Sequence, residues 1–346
     1  MKKVLFATTA LVASAGVAAA DITFSGSAEM GIIGGGDDAP VGPFIGENVD
    51  AASGATQFNS DLTLSVGMSG ETDAGLSFGV NFDISKDNPD SNGNLGVDNE
   101  AAFVSGAFGT LTLGEIDGAM DNRLTENMGN PGTIGDDETI HVGYMGTYGD
   151  GAYDNQILRY DYEFGDFGLS LSTEIDDAKS GADAGYAIAV SYSTMVTGVD
   201  LGFGLGYQTL EVDAGGYSPG NLGSYLAAPY AAAGDDLDIV GITATADFQN
   251  GFVAGLEYSD WDFQTANDAD HWAISMGYEI QAWSFHANYG IFDVNNVGDI
   301  DGYGLAVAYD LGGGASLHLG YGDGDGPAGV IANDIETWSF GVAMSF

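Results

Sequence analysis

The sequence contains no cysteine, so a disulfide framework and a thiolate metal site are both excluded. Bases are nearly as scarce: 6 lysines and arginines stand against 51 aspartates and glutamates, a formal charge of −45. Affinity for nucleic acid comes largely from Lys and Arg at phosphates, so that class of partner is excluded too. No apolar run reaches the roughly 18–20 residues of a membrane-crossing helix. The run from Val4 to Val17 follows Lys2 and Lys3 and leads to Ala18-Ala19-Ala20. A basic start, a short apolar stretch and an A-x-A site form a secretory signal over residues 1–20, expected to be cleaved before Asp21. Chains this acidic are often disordered. Here, however, 45% of residues are hydrophobic, with 17 Tyr and 18 Phe, and the chain is expected to fold.

From Asp21 onward the dominant signal is period two. Trp338, Phe340, Val342, Met344 and Phe346 alternate with Ser339, Gly341, Ala343 and Ser345. Leu62-Leu64-Val66-Met68 and Leu76-Phe78-Val80-Phe82-Ile84 repeat the pattern at every second position. Such alternation means strands with two unlike faces. In a soluble sandwich the second face meets bulk water and carries Lys, Glu, Arg and Thr. Here it carries Gly, Ala, Ser and Asn, with occasional charges such as Glu29, Asp83, Arg159 and His286. That asymmetry predicts a transmembrane β-barrel, with lipid outside and room for water inside. Tyr186/Tyr192, Trp272/Tyr278, Trp283/Tyr289 and Tyr303/Tyr309 are same-face pairs six residues apart. They span about 20 Å, somewhat less than the roughly 25 Å between interfacial girdles.

The spacing predicts an all-β, antiparallel up-and-down barrel over 21–346. Its strands fall near 21–33, 57–69, 75–86, 98–108, 110–115, 154–164, 167–176, 184–193, 197–208, 236–248, 251–260, 270–280, 282–292, 300–310, 314–321 and 335–346. These are sixteen, an even number as closure of a bacterial barrel requires. Tight turns, among them Thr194–Val196, alternate with longer segments at 34–56, 87–97, 116–153, 177–183, 209–235, 261–269, 293–299 and 322–334. Pro40, Pro43, Pro89, Pro131, Pro219, Pro229 and Pro327 all fall in the longer segments, as residues unable to donate to a ladder should.

Catalytic motifs are weak. Gly75-Leu76-Ser77-Phe78-Gly79 matches G-x-S-x-G but lies inside an alternating strand, and Gly216-Tyr217-Ser218-Pro219-Gly220 has no helix after it. The nucleophile elbow needs a strand-turn-helix. His141, His271, His286 and His318 are scattered; His286 and His318 are expected in the lumen and His271 at a rim. No enzyme is expected.

Phe103-Val104-Ser105-Gly106-Ala107-Phe108-Gly109-Thr110-Leu111-Thr112-Leu113-Gly114 resembles the strand pair before the third loop of Gram-negative porins, most closely those of Rhodobacter and other alphaproteobacteria. Glu115-Ile116-Asp117-Gly118-Ala119 resembles the entry to that loop, and Ile157-Leu158-Arg159-Tyr160-Asp161 the strand after it. Asp21-Ile22-Thr23-Phe24-Ser25-Gly26 and the terminal Phe346 also match. The resemblance implies a homotrimer of general-diffusion channels in the outer membrane of a Gram-negative bacterium. Each channel is narrowed by an inward third loop, and the C-terminal aromatic is read by the barrel-assembly machinery. In many relatives arginines on the wall face carboxylates on that loop. Here only Arg123 and Arg159 remain in the mature chain, and Glu115 stands where many relatives carry a base.

The segment 116–153 carries Asp117, Asp121, Glu126, Asp136, Asp137 and Glu138, with Arg123 its only base. Inside a low-dielectric lumen these residues are expected to form an acidic constriction that favours cations. Asp83, Glu115, Arg159, Asp161 and Glu174 are expected on the wall. The alternative for the acids is a solvated outer loop. No cofactor is required, although Ca²⁺ or Mg²⁺ could bridge acidic loops near lipopolysaccharide and the outer-membrane lipids. Asp299 and Asp301, and Asp323 and Asp325, resemble fragments of Ca²⁺ loops, but Asp-Gly turns are the commoner use of such pairs. The rival to a channel is a plugged, non-pore barrel acting as an adhesin or enzyme, against which the scarcity of bulky inward residues argues.

Overall fold

The computed structural model describes residues 21–35, 56–86, 95–134, 138–153, 156–175, 181–212, 234–264, 268–327 and 335–346. The expected signal segment, together with Asp136 and Asp137, lies outside them. Sixteen strands form among the described residues: β1 (Asp21–Gly35), β2 (Gln57–Glu71), β3 (Ser77–Lys86), β4 (Gly96–Gly106), β5 (Gly109–Glu115), β6 (Gln156–Phe164), β7 (Phe167–Glu174), β8 (Gly185–Val196), β9 (Val199–Glu211), β10 (Asp236–Asp247), β11 (Phe252–Phe263), β12 (Ala269–Ile280), β13 (Trp283–Val294), β14 (Gly298–Gly312), β15 (Ala315–Asp325) and β16 (Ile335–Ser345). One short helix, α1 (Ala119–Arg123), opens the segment between β5 and β6.

Each strand pairs antiparallel with its sequence neighbours, and β1 pairs with β16, which closes the barrel. Ser27 faces Ser345 and Gly35 faces Thr337 across the closing seam. Phe346 continues the seam, donating its N–H to the Gly26 carbonyl at 2.8 Å. Closure leaves no free edge, so every ladder group in lipid has a partner.

Large apolar side chains crowd the outward face: Phe24, Leu62, Leu64, Leu205, Ile242, Trp272, Phe285 and Phe340 are all exposed. The expected Tyr and Trp pairs lie on this face.

Two boundaries differ from expectation. The hairpin expected at Thr194–Val196 turns instead at Thr197-Gly198, with φ of 55° and 83°, while Val196 extends the outward alternation of Tyr186, Ile188 and Val190. Glycine relieves the strain of the second position. The longer segment expected at 293–299 shrinks to 295–297, because Val294 and Gly298 pair directly.

The inner face is not uniformly small. At the long-loop end of β9 to β14 it carries Leu210, Leu237, Ile239, Trp261, Phe263, Phe292, Val294 and Ile300, all buried. They pack with Met120, Leu124, Val142, Met145 and Tyr148 of the third loop into one apolar cluster inside the barrel. The barrel therefore has a core, built between loop and wall, and the expectation of few bulky inward residues fails there.

Candidate channel constriction

The third loop leaves β5 at Glu115 and returns to β6 at Gln156, folding inward against the wall. The inner glycines and serines of β7 to β16 are its seat. A β-carbon on Gly206 would lie 2.6 Å from Cγ of Met120, and one on Gly277 would lie 2.9 Å from Cα of Gly129. On Gly290 it would strike the carbonyl of Gly143. Small residues thus admit a chain segment on this side, as well as water.

Side-chain hydrogen bonds fasten the seat. Ser172 Oγ accepts the Ala119 N–H at 2.9 Å, and Ser275 Oγ accepts the Met128 N–H at 2.8 Å. Asn288 Nδ2 donates to the Thr139 carbonyl at 2.8 Å. His318 Nδ1 lies 2.8 Å from the Gly132 carbonyl, and only the ring nitrogen can donate in that pair.

Both arginines are committed to one corner of the wall. Arg123, at the end of α1, donates from Nη1 to Glu163 at 2.5 Å, from Nε to Ser170 Oγ at 2.7 Å, and from Nη2 to the Leu169 carbonyl at 3.0 Å. Arg159 donates from Nε to Asp161 at 3.0 Å and from Nη1 to the Asp117 carbonyl at 2.5 Å. Beside this corner a cavity of about 700 Å³ opens into the lumen, with Asn81, Phe103, Thr112, Arg159, Asp161 and Glu163 in its lining.

On the lumen-facing side of β1 to β4, carboxylates lie opposite carboxylates. Glu29 faces Asp61 across the β1–β2 ladder, and Asp83 faces Asp98 across β3–β4. A bulge in β4, with Asn99 at φ 55°, lets the Asn99 amide donate to Asp83 at 2.9 Å. Ser85 donates to Asp98 at 2.5 Å.

A family model for Gram-negative porins matches residues 7–329. The chain belongs to that family. The porin of Rhodobacter capsulatus is 27% identical over 91% of this chain and 98% of its own. Among solved structures, an engineered variant of the Rhodopseudomonas blastica porin superposes with a TM-score of 0.65 at 18% identity, covering 94% of this chain and all of its own. A porin structure refined at 1.8 Å has a TM-score of 0.61 at 22% identity over the same share. The protein is therefore an outer-membrane porin, a channel and not an enzyme, with the closed sixteen-strand barrel of that family.

Several expected constriction residues sit elsewhere in this porin. Glu138 is buried between the loop and Gly304, Gly320 and Gly322 of β14 and β15. Glu126 is almost enclosed; it accepts the Met145 N–H at 2.9 Å, and burial pushes its carboxyl up to about 8. Burial, then the charge of Asp150, raises Asp121 well above the usual carboxylate range. Asp150 is itself raised by burial, while its Oδ2 accepts the Gly118 N–H at 2.6 Å. Much of the loop's acid is thus sheltered rather than displayed. Asp117 stays exposed at the loop entry.

On the wall, Asp83, Arg159 and Asp161 face inward. Glu174 does too, but it is buried and holds the Tyr153 N–H at 3.1 Å. Glu115 falls in the outward set of Leu111 and Leu113, its carboxylate accepting the Asn99 N–H at 2.9 Å. Glu29 lies on the inner face as expected, and Asp61, Asp98 and Glu163 join it there in addition to the wall residues expected from the sequence. Parity alone places Asp61, because Leu62 and Leu64 face out; Asp98 needed the bulge. His271 lies at the long-loop end of β12, opposite Phe292, and is fully buried there on the inner face.

Asp299, Asp301, Asp323 and Asp325 occupy no turns. They lie on the outward face of β14 and β15, where Asp301 faces Asp325. Outward carboxylates also face each other at Asp236/Glu211, Asp238/Asp262, Asp260/Asp270, Asp270/Asp293, Asp293/Asp299 and Asp323/Glu336. Shared parity and register place them opposite one another near the strand ends that lead into the longer segments. Tyr207 and Tyr258 donate to Asp238 and Asp270 at 2.6 Å. Among the described residues no three His, Asp or Glu side chains converge as a metal-ligand set.

Proposed function

We propose that this porin passes ions and small hydrophilic solutes by passive diffusion and favours cations. One observation carries the reading. Arg123 and Arg159 are matched by Asp161 and Glu163, while Asp83 and Asp98 face each other across β3–β4 and take hydrogen bonds from the neutral side chains of Asn99 and Ser85, beside the like-charged pair of Glu29 and Asp61. A lumen with low-dielectric walls focuses that negative potential and raises the local cation concentration. Asp117 adds to it at the loop entry. The sheltered Asp121, Glu126 and Glu138 shape the loop more than the field. The test is the zero-current potential of single channels in a salt gradient. A cation-selective sign is expected, and an anion-selective sign would refute the reading.

The porin is inferred to assemble as a homotrimer, surrounded by outer-membrane lipids and lipopolysaccharide. Its Phe346, 81% exposed on the outward face, is inferred to address the barrel-assembly machinery. Ca²⁺ or Mg²⁺ is inferred to screen the outward carboxylate ladder, since like charges directly opposite one another destabilise a sheet.

A further inference from the structure

One buried cluster has no part in the proposed selectivity. His271 on β12 is completely enclosed, its ring against that of Phe292 at a centroid distance of 4.3 Å. Its Nε2 lies 2.8 Å from the Gly143 carbonyl, which can only accept, so Nε2 carries a hydrogen. Its Nδ1 lies 2.5 Å from Oε2 of the equally buried Glu257 on β11. One proton is therefore shared between the carboxylate and the ring, and the dyad is neutral overall.

Both arms of the third loop meet at this dyad. From the outgoing arm, Glu126 Oε1 lies 3.9 Å from Nε2 of His271 while holding the Met145 N–H. From the returning arm come the Gly143 carbonyl and the Tyr148 hydroxyl, which donates to Glu257 Oε1 at 3.3 Å. Glycines at 143 and 290 let the two backbones touch here.

We propose that His271 is a positioning residue: with Glu257 it forms a proton-carrying clasp that holds both arms of the third loop against the wall and so sets the aperture of the channel. The titratable groups facing it are Glu257 from β11, Glu126, His141 and Tyr148 from the loop, and, one shell further, His286 from β13 and Asp121 from α1. A change in the proton count of this cluster alters the charge enclosed under the loop, and the loop then moves to restore solvation. The inference rests on the protein being a channel and not on its preference for cations.

The test is single-channel recording of folded, heat-modifiable porin between pH 5 and 9, with neutral polymers of graded size. His271→Phe keeps the ring packing and removes both donors. It is expected to raise conductance and current noise, admit larger polymers and lose the pH dependence. His271→Gln retains an amide donor for Gly143, and is expected to restore the wild-type conductance with a weaker pH dependence, that of the loop acids alone. A His271→Phe channel identical to wild type in aperture and pH profile overturns the proposal. So does a His271→Gln channel as open as the phenylalanine variant, which would reduce His271 to packing. Should the wall variants not fold, Tyr148→Phe alters the loop alone by removing its donor to Glu257: a larger aperture with a changed pH profile supports the clasp, and an unchanged channel overturns it. The zero-current potential in the same recordings reports the cation preference separately.

Discussion

Arg123 and Arg159, one on the third loop and one on β6, converge on the single carboxylate of Asp161, at 3.7 Å and 3.0 Å. The loop's only base and the wall's only described arginine are thereby held together with Asp161 and Glu163, and their charge is largely cancelled where the loop meets the wall.

Asp161→Asn leaves two guanidiniums facing each other with Glu163 as their remaining acid. Losing charge-assisted hydrogen bonds costs about 1–3 kcal/mol. The zero-current potential should shift toward anions, and Arg159→Ala should shift it the other way. Equal potentials in both variants would break the link between this corner and selectivity.

Gly290→Val places a side chain where the Gly143 backbone lies. Overpacking of this kind costs about 1–3 kcal/mol. The ladder of β13 is untouched, so the barrel should still form. The loop should leave its seat, seen as faster protease cleavage within 138–153 and a larger conductance.

Trp261→Ala empties the centre of the apolar cluster between loop and wall, where Trp261 is fully buried and its Nε1 donates to Ser259 at 2.9 Å. A loss of about 3–5 kcal/mol is expected. Because the partners of Trp261 include loop residues, cleavage of the loop should rise before the barrel itself melts. A single unchanged melting transition with a protected loop would contradict this.

Proton linkage of the loop follows from its sheltered acids. Glu126 ordinarily titrates near 4.5 and is pushed up to about 8 in the seated loop, first by burial. Seating therefore takes up a proton; its stabilisation is complete below about 4.5 and is lost as pH rises toward 8. Asp121 and Asp150, also raised, act in the same direction. His141 opposes them: burial lowers it from 6.5 to about 3, so its contribution is lost as pH falls through that interval. Between pH 6.5 and 8 His141 no longer opposes the acids, and Glu126 alone contributes about 1.4 kcal/mol per pH unit. Amide exchange in the loop, corrected for intrinsic rates, should accelerate from pH 6.5 to 8.

Removing divalent cations with EDTA should lower the thermal midpoint, since the outward ladder of facing carboxylates loses its screening. Asp299→Asn, which interrupts the ladder opposite Asp293, should reduce that sensitivity by a few tenths of a kcal/mol to about 1. A midpoint indifferent to EDTA would remove structural Ca²⁺ or Mg²⁺ from the account.

Alternation read along the chain located every strand, because a two-residue period reports only which face meets lipid, and lipid selects the same residue types everywhere. It also placed Asp83, Arg159 and Asp161 inside. It misjudged Glu115, whose parity is outward, and it could not see that Glu126 and Glu138 turn away from the lumen. Loops carry no period, so nothing in 116–153 says which side chains meet water. Small residues on an inner face imply space for water; on β7 to β16 they are equally the seat of a chain segment.

The sequence by itself determined a closed antiparallel barrel, its outward face, its acidic balance and the near absence of bases, since these depend on local period and on composition. Only the tertiary structure decided that His271 and Glu257 meet Gly143, Glu126 and Tyr148. It also decided that two arginines share Asp161 and that the inner face holds an apolar core. The contacts of the loop with His271 and Glu257 join residues more than a hundred positions apart, and the energies of all these relations come from desolvation and distance. A linear pattern encodes neither.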